Sequence, residues 1–229
     1  MKKILIYLFL ISQITIICGQ ENVKITQIQE DLKFLSSDEL EGRFTGTNGE
    51  KIAAEYIIKN FIEYDLEPLG DSNSFIQKFN AKLRKNPHSD IDAKKIIGKN
   101  VIGFQNNNAK HTIIIGAHYD HLGYGQVGSL STLEKQIHNG ADDNASGVAL
   151  MINLIPDLIN YKYYNYLFIA FSGEELGLYG STYFTKYPTI DLSKVRYMLN
   201  FDMVGRLNNQ RTLLVNGVGT SSKWEKLVE

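Results

Sequence analysis

The stretch HTIIIGAHYDHLG, residues 111–123, sets a run of β-branched residues directly against two histidines and an aspartate. Ile113, Ile114 and Ile115 leave no apolar/polar alternation, so the strand they predict must be covered on both faces. The same change of character recurs downstream. YLFIAF (166–171) runs into SGEELG, VRYMLNF (195–201) runs into Asp202, and RTLLVNG (211–217) reads as a fourth strand. Helical spacing fills the intervals, over Ala145–Leu158 and again over Glu175–Tyr187. Apolar strands alternating with helices predict an α/β fold: a mixed, centrally parallel sheet sandwiched by helices.

Upstream of this core, Ile25–Leu35 and Glu50–Tyr64 have helical spacing, the second with Ala53, Ile57, Ile58 and Phe61 on its inner face. LEPLGDSNSFIQKF (66–79) is a turn leading to an extended segment, and NVIGF (100–104) is a short strand. With 229 residues, 43% hydrophobic and 21% charged, the chain suits one α/β domain that buries a sizeable core. A net charge of −1 gives no basic face for nucleic acid.

The N-terminus reads as an export signal over residues 1–19, leaving 20–229 as the functional domain. Met1-Lys2-Lys3 is the positive start, and an apolar stretch interrupted only at Ser12-Gln13 follows from Ile4 to Cys18. That stretch is shorter than the roughly 20 residues a membrane span needs, so no stable membrane anchor is expected, and the protein should be secreted or periplasmic. Cys18, the only cysteine, leaves with the signal, so no metal site can rest on thiolate.

In an open α/β sheet, ligands bind beyond the carboxyl ends of the strands. His118, Asp120 and His121, then Glu174 and Glu175, then Asp202 all fall at that edge. HNGADDNASG (138–147) adds Asp142 and Asp143 at the mouth of a helix. So many carboxylates repel one another unless a cation neutralises them, and imidazole with carboxylate suits one or two zinc or similar ions. Adjacent Asp142 and Asp143 cannot both face an ion. Asp120 can fix the tautomer of His118. In the Glu174-Glu175 pair, one carboxylate can ligate while its neighbour accepts a proton from water.

GAHYDHLG, NGADDNASG, FSGEELGLYGS and NFDMVGR, in this order, resemble the secreted zinc aminopeptidases of the co-catalytic dizinc exopeptidase clan, whose relatives include glutamate carboxypeptidases and glutaminyl cyclases. LSSDELEGRFTGTNGEKIAAEYI (35–57) resembles the segment that precedes the catalytic core in bacterial members. The resemblance implies the zinc exopeptidase (phosphorylase/hydrolase-like) fold, two Zn2+ per complete site, and peptide substrates with a free N-terminus. It assigns His118 and Asp202 to one zinc, Glu175 to the other and Asp143 as the bridge. It makes Glu174 the general base, has Asp120 orient His118, and implies a cis peptide after Asp143.

One expected ligand is missing. The family places a second histidine late in the chain, and none of the five histidines here follows Asp202. His121 or His138 could supply that imidazole; His121 could otherwise line the substrate mouth or be structural. The chain stops at KWEKLVE, inside what reads as a helix over Ser221–Glu229, so the resemblance implies a catalytic domain lacking its C-terminal part, weakly active or inactive. Two alternatives stand beside the aminopeptidase: a glutaminyl cyclase-like transferase using a single zinc, and a non-catalytic fragment or binding domain that kept the fold.

Overall fold

Strands β4 (Thr112–His118) and β5 (Asn165–Phe171) lie parallel at the centre of the sheet, and every residue of both is buried. The computed structural model describes residues 24–84, 93–125, 127–130, 136–224 and 226. The segment read as an export signal and His88 lie outside the described residues. Among the described residues, no helix is long and apolar enough to cross a membrane.

Around that central pair, β3 (Lys94–Gln105) runs antiparallel to β5, and β6 (Val195–Asn200) runs parallel to β4. On the far side of β3, β1 (Glu67–Pro68) and β2 (Ile76–Leu83) pair with different parts of its length. The result is a six-stranded mixed sheet with parallel pairing among β5, β4 and β6, as the sequence predicts.

The continuous apolar runs are explained by what covers them. Ile113, Ile115 and Ala117 of β4, with Tyr166, Phe168 and Ala170 of β5, join one core. That core takes Ala53, Ile57 and Phe61 from α2 (Asn48–Glu63), and Val148, Met151 and Ile152 from α3 (Gly147–Leu158). The first helix, α1 over residues 24–35, adds Leu35. The alternate residues Ile114, Leu167, Ile169 and Phe171 meet Phe184 of α4 (Tyr179–Lys186) on the opposite face. Strands with a period of two, buried on both sides, need apolar residues at every position.

Two sequence-based elements differ. The helix expected over Glu175–Tyr187 begins only at Tyr179. Gly173, Gly177 and Leu178 all have positive φ, which no α-helix tolerates, so Glu174 and Glu175 ride on a turn. RTLLVNG forms no strand: among the described residues it pairs with nothing, and Leu213 and Leu214 stay 63% and 82% exposed. An apolar run becomes a strand only where a neighbour takes its backbone hydrogen bonds. The expected helix over Ser221–Glu229 lies partly outside the described residues, and 222–224 form a turn.

Candidate metal centre

The parallel strands deliver the acidic and imidazole groups to one edge. His118 is the last residue of β4, Glu174 and Glu175 follow β5 by a short turn, and Asp202 follows β6. Asp143 arrives from the irregular turn Ala141–Ser146 that leads into α3. The Asp143–Asn144 peptide is cis. Gly140 makes the approach possible: its φ is +56°, and a Cβ there would sit 2.3 Å from the Asp143 carbonyl and 2.5 Å from His121 Cγ.

Two groups of donor atoms result, each with its atoms within 4.8 Å of one another: His118, Asp143 and Asp202, and His121, Asp143 and Glu175. His118 Nε2 lies 3.1 Å from Asp143 Oδ1 and 3.5 Å from Asp202 Oδ1. On the other side, His121 Nδ1 lies 2.6 Å from Glu175 Oε1. Asp143 belongs to both groups. Asp142 turns away, its Oδ1 accepting from the Gly205 amide (2.8 Å) and from Ser146 Oγ (3.3 Å).

Asp120 is fully buried and spans more than one role. Its carbonyl oxygen lies 3.2 Å from His118 Nδ1 and its Oδ1 3.8 Å from that nitrogen. The same Oδ1 accepts the Glu174 amide at 3.1 Å, and Oδ2 accepts Thr45 Oγ1 at 3.0 Å. Asp120 therefore faces the His118 ring and also fixes the start of the turn bearing Glu174.

The charges bear on one another. Burial opposes a charge on His118, but the neighbouring carboxylates of Asp120, Asp143 and Asp202 outweigh it and push the imidazole up to about 12. Asp143 is held below the usual carboxylate range, chiefly by its bond to His118, against the opposing effect of burial. Burial raises Glu174, partly offset by His118; Glu175, Asp120 and Asp202 raise it further. Glu174 belongs to neither donor group. It lines a cavity of about 190 Å³ with His118, Asp202, Phe171, Leu178 and Met198.

Other residues build the site from a distance. Asn144 is buried and bonds in three directions: Nδ2 to the Phe201 carbonyl (2.9 Å), and Oδ1 from the amides of Gly147 and Met203 (3.1 Å each). It thus ties the Asp143 turn to the segment carrying Asp202. Ser146 Oγ accepts the Val204 amide at 3.1 Å, reinforcing the tie. Nothing local marks the contacts to Phe201, Met203 and Val204, because these partners lie far apart in sequence. His138 belongs to neither donor group; its Nε2 lies 3.0 Å from Ser129 Oγ.

The chain is similar to known proteins over most of its length. It is 29% identical to the alkaline phosphatase isozyme conversion protein of Escherichia coli over 81% of this chain and 53% of that protein. It is 26% identical to a probable zinc metalloprotease of Pyrenophora teres f. teres over 83% of this chain and 38% of that one. It thus spans about half or less of the length of these relatives. Two solved structures from Bacteroides thetaiotaomicron, one of a leucine aminopeptidase precursor and one of a glutaminyl cyclase, share the fold. Each has a TM-score of 0.59 at 17% identity, over 80% of this chain and 61% of the other. The pattern that defines peptidase family M28 matches residues 100–229, more than half of the chain and the whole of the described donor set, and the chain belongs to that family.

Proposed function

We propose that this chain carries the catalytic core of an exported zinc exopeptidase that removes N-terminal residues from peptides. The observation that carries the reading is a single carboxylate, Asp143, shared by two imidazole-carboxylate groups, with Glu174 outside both and lining the cavity beside them. Imidazole nitrogen and carboxylate oxygen are the donors zinc takes when no thiolate is present, so the residues fit the ion. His118, Asp143 and Asp202 would hold one zinc. Asp143, Glu175 and His121 would hold a second, with His121 in place of the late histidine that the resemblance calls for. Zinc, when bound, would supply Lewis-acid polarisation of a peptide carbonyl and of a water.

The chain's own residues do the rest. Glu174 Oε accepts a proton as water attacks the scissile carbonyl, then returns it to the leaving amine. Its raised affinity for a proton suits both halves of that cycle. Asp120 holds the Glu174 amide, so the base keeps its place relative to His118. The cavity beside Glu174, with Phe171, Leu178 and Met198 on its walls, offers room for an apolar group of the substrate.

The test is release of free amino acid from peptides by the protein spanning 20–229. A free N-terminus should be required, and Glu174→Gln should slow release by about 100- to 10,000-fold while leaving zinc bound. Equal cleavage of N-acetylated peptides would overturn the exopeptidase reading. Cyclisation of an N-terminal glutamine without release of any amino acid would instead support a glutaminyl cyclase-like transferase.

A further inference from the structure

The segment Glu41-Gly42-Arg43 lies far from the donor residues in sequence, yet it touches both loops that carry them. Arg43 is 1% exposed. Its Nε donates to the Tyr119 carbonyl (2.7 Å), Nη1 to the carbonyls of Leu35 and Asn139 (the latter 2.7 Å), and Nη2 to the Gly140 carbonyl (3.0 Å). Tyr119 lies between His118 and Asp120, and Gly140 opens the turn that presents Asp143. One rigid guanidinium fork therefore joins the histidine loop to the aspartate loop and anchors both to the end of the first helix.

The backbone repeats the arrangement. The Arg43 carbonyl accepts the His121 amide (3.3 Å), and the Gly42 carbonyl accepts the Gly123 amide (3.1 Å). Glu41, Gly42 and Arg43 all have positive φ, and a Cβ on Gly42 would sit 2.5 Å from the His138 carbonyl and 2.7 Å from that of Gly123. A left-handed path through three residues, two of them not glycine, is costly and persists only where its surroundings fix it.

The four hydrogen bonds of the guanidinium go to carbonyl oxygens. Burying a cation without a carboxylate in direct contact is expensive, which makes a purely space-filling role hard to justify. Asp120, Asp143 and Glu175 act on it through space, and burial nonetheless brings the group down to about 10, so it stays charged at neutral pH.

We propose that Arg43 is a positioning residue that clasps the two metal-bearing loops, so that His118, His121 and Asp143 converge before any ion binds. This rests on the metal reading of the site given above. Outer partners that orient ligands are typically worth about 10- to 100-fold in metal affinity.

The test is Co2+ titration of the metal-free protein, followed by visible absorption, for wild type, Arg43→Lys and Arg43→Gln. Lysine keeps the charge but not the fork, so Arg43→Lys should melt cooperatively yet bind Co2+ about 10- to 100-fold more weakly, with an altered absorption band. A lower melting temperature with unchanged Co2+ affinity and spectrum would overturn the proposal and leave Arg43 merely structural. Hydrogen exchange of the Arg43 Nε–H in metal-free wild type keeps the test decisive if the variants do not fold. Slow exchange is expected, and exchange as fast as that of an exposed arginine would mean the clasp does not precede the metal. Wild type that binds no Co2+ while keeping a slow Nε–H would overturn the metal reading and leave the clasp itself standing.

Discussion

The two imidazole positions share one aspartate but are built in different ways. His118 ends a strand whose every residue is buried, so the sheet itself sets its place, and carboxylates of Asp120, Asp143 and Asp202 surround it. His121 sits three residues further on, past the sheet, and meets Glu175 on a turn. Its backbone is held by the Arg43 carbonyl and its ring packs against the Gly140 turn. A position at a strand end takes its place first from the sheet, with the Arg43 bond to the Tyr119 carbonyl adding to it. A position fixed on loops depends on contacts borrowed from distant parts of the chain.

That contrast ranks the expected effects of substitution. Asp143→Ala removes the carboxylate common to both positions, so zinc should be lost from both and activity should fall to background, read by elemental analysis and peptide hydrolysis. Glu174→Gln should cost about 100- to 10,000-fold in kcat while zinc content stays unchanged, since Glu174 belongs to neither donor group. His121→Ala should empty only the second position. Loss of both zincs in that variant would mean the positions are not separable. Asn144→Ala cuts the tie between the Asp143 turn and the Asp202 segment, and should weaken metal binding by about 10- to 100-fold without emptying either position. Calorimetric titration of the metal-free variant reads that smallest effect.

Much of the fold was legible because the interiors of β4 and β5, Ile113–Ala117 and Leu167–Phe171, are apolar at every position, and only a sheet covered on both faces accommodates that. The failures have physical causes. The start of α4 was misplaced because Leu178, not only glycine, adopts a left-handed conformation, which composition does not signal. RTLLVNG looked like a strand because an apolar run says nothing about whether a partner strand lies beside it. At the site, His118, Glu174, Glu175 and Asp202 could be placed because each closely follows an apolar strand. His121 is one of two candidates for the missing imidazole, and sequence cannot choose it over His138, because its Glu175 partner lies 54 positions away. The parts played by Asn144 and Arg43 give no signal, since they come from contacts to residues 57 and 76 positions away.

Zinc per chain, measured on the dialysed protein for wild type and His121→Ala side by side, tests most directly whether Asp143 joins two metal positions. Wild type should hold about two zinc ions and the variant about one. The same zinc content in both proteins would contradict it, and would remove His121 from the metal centre.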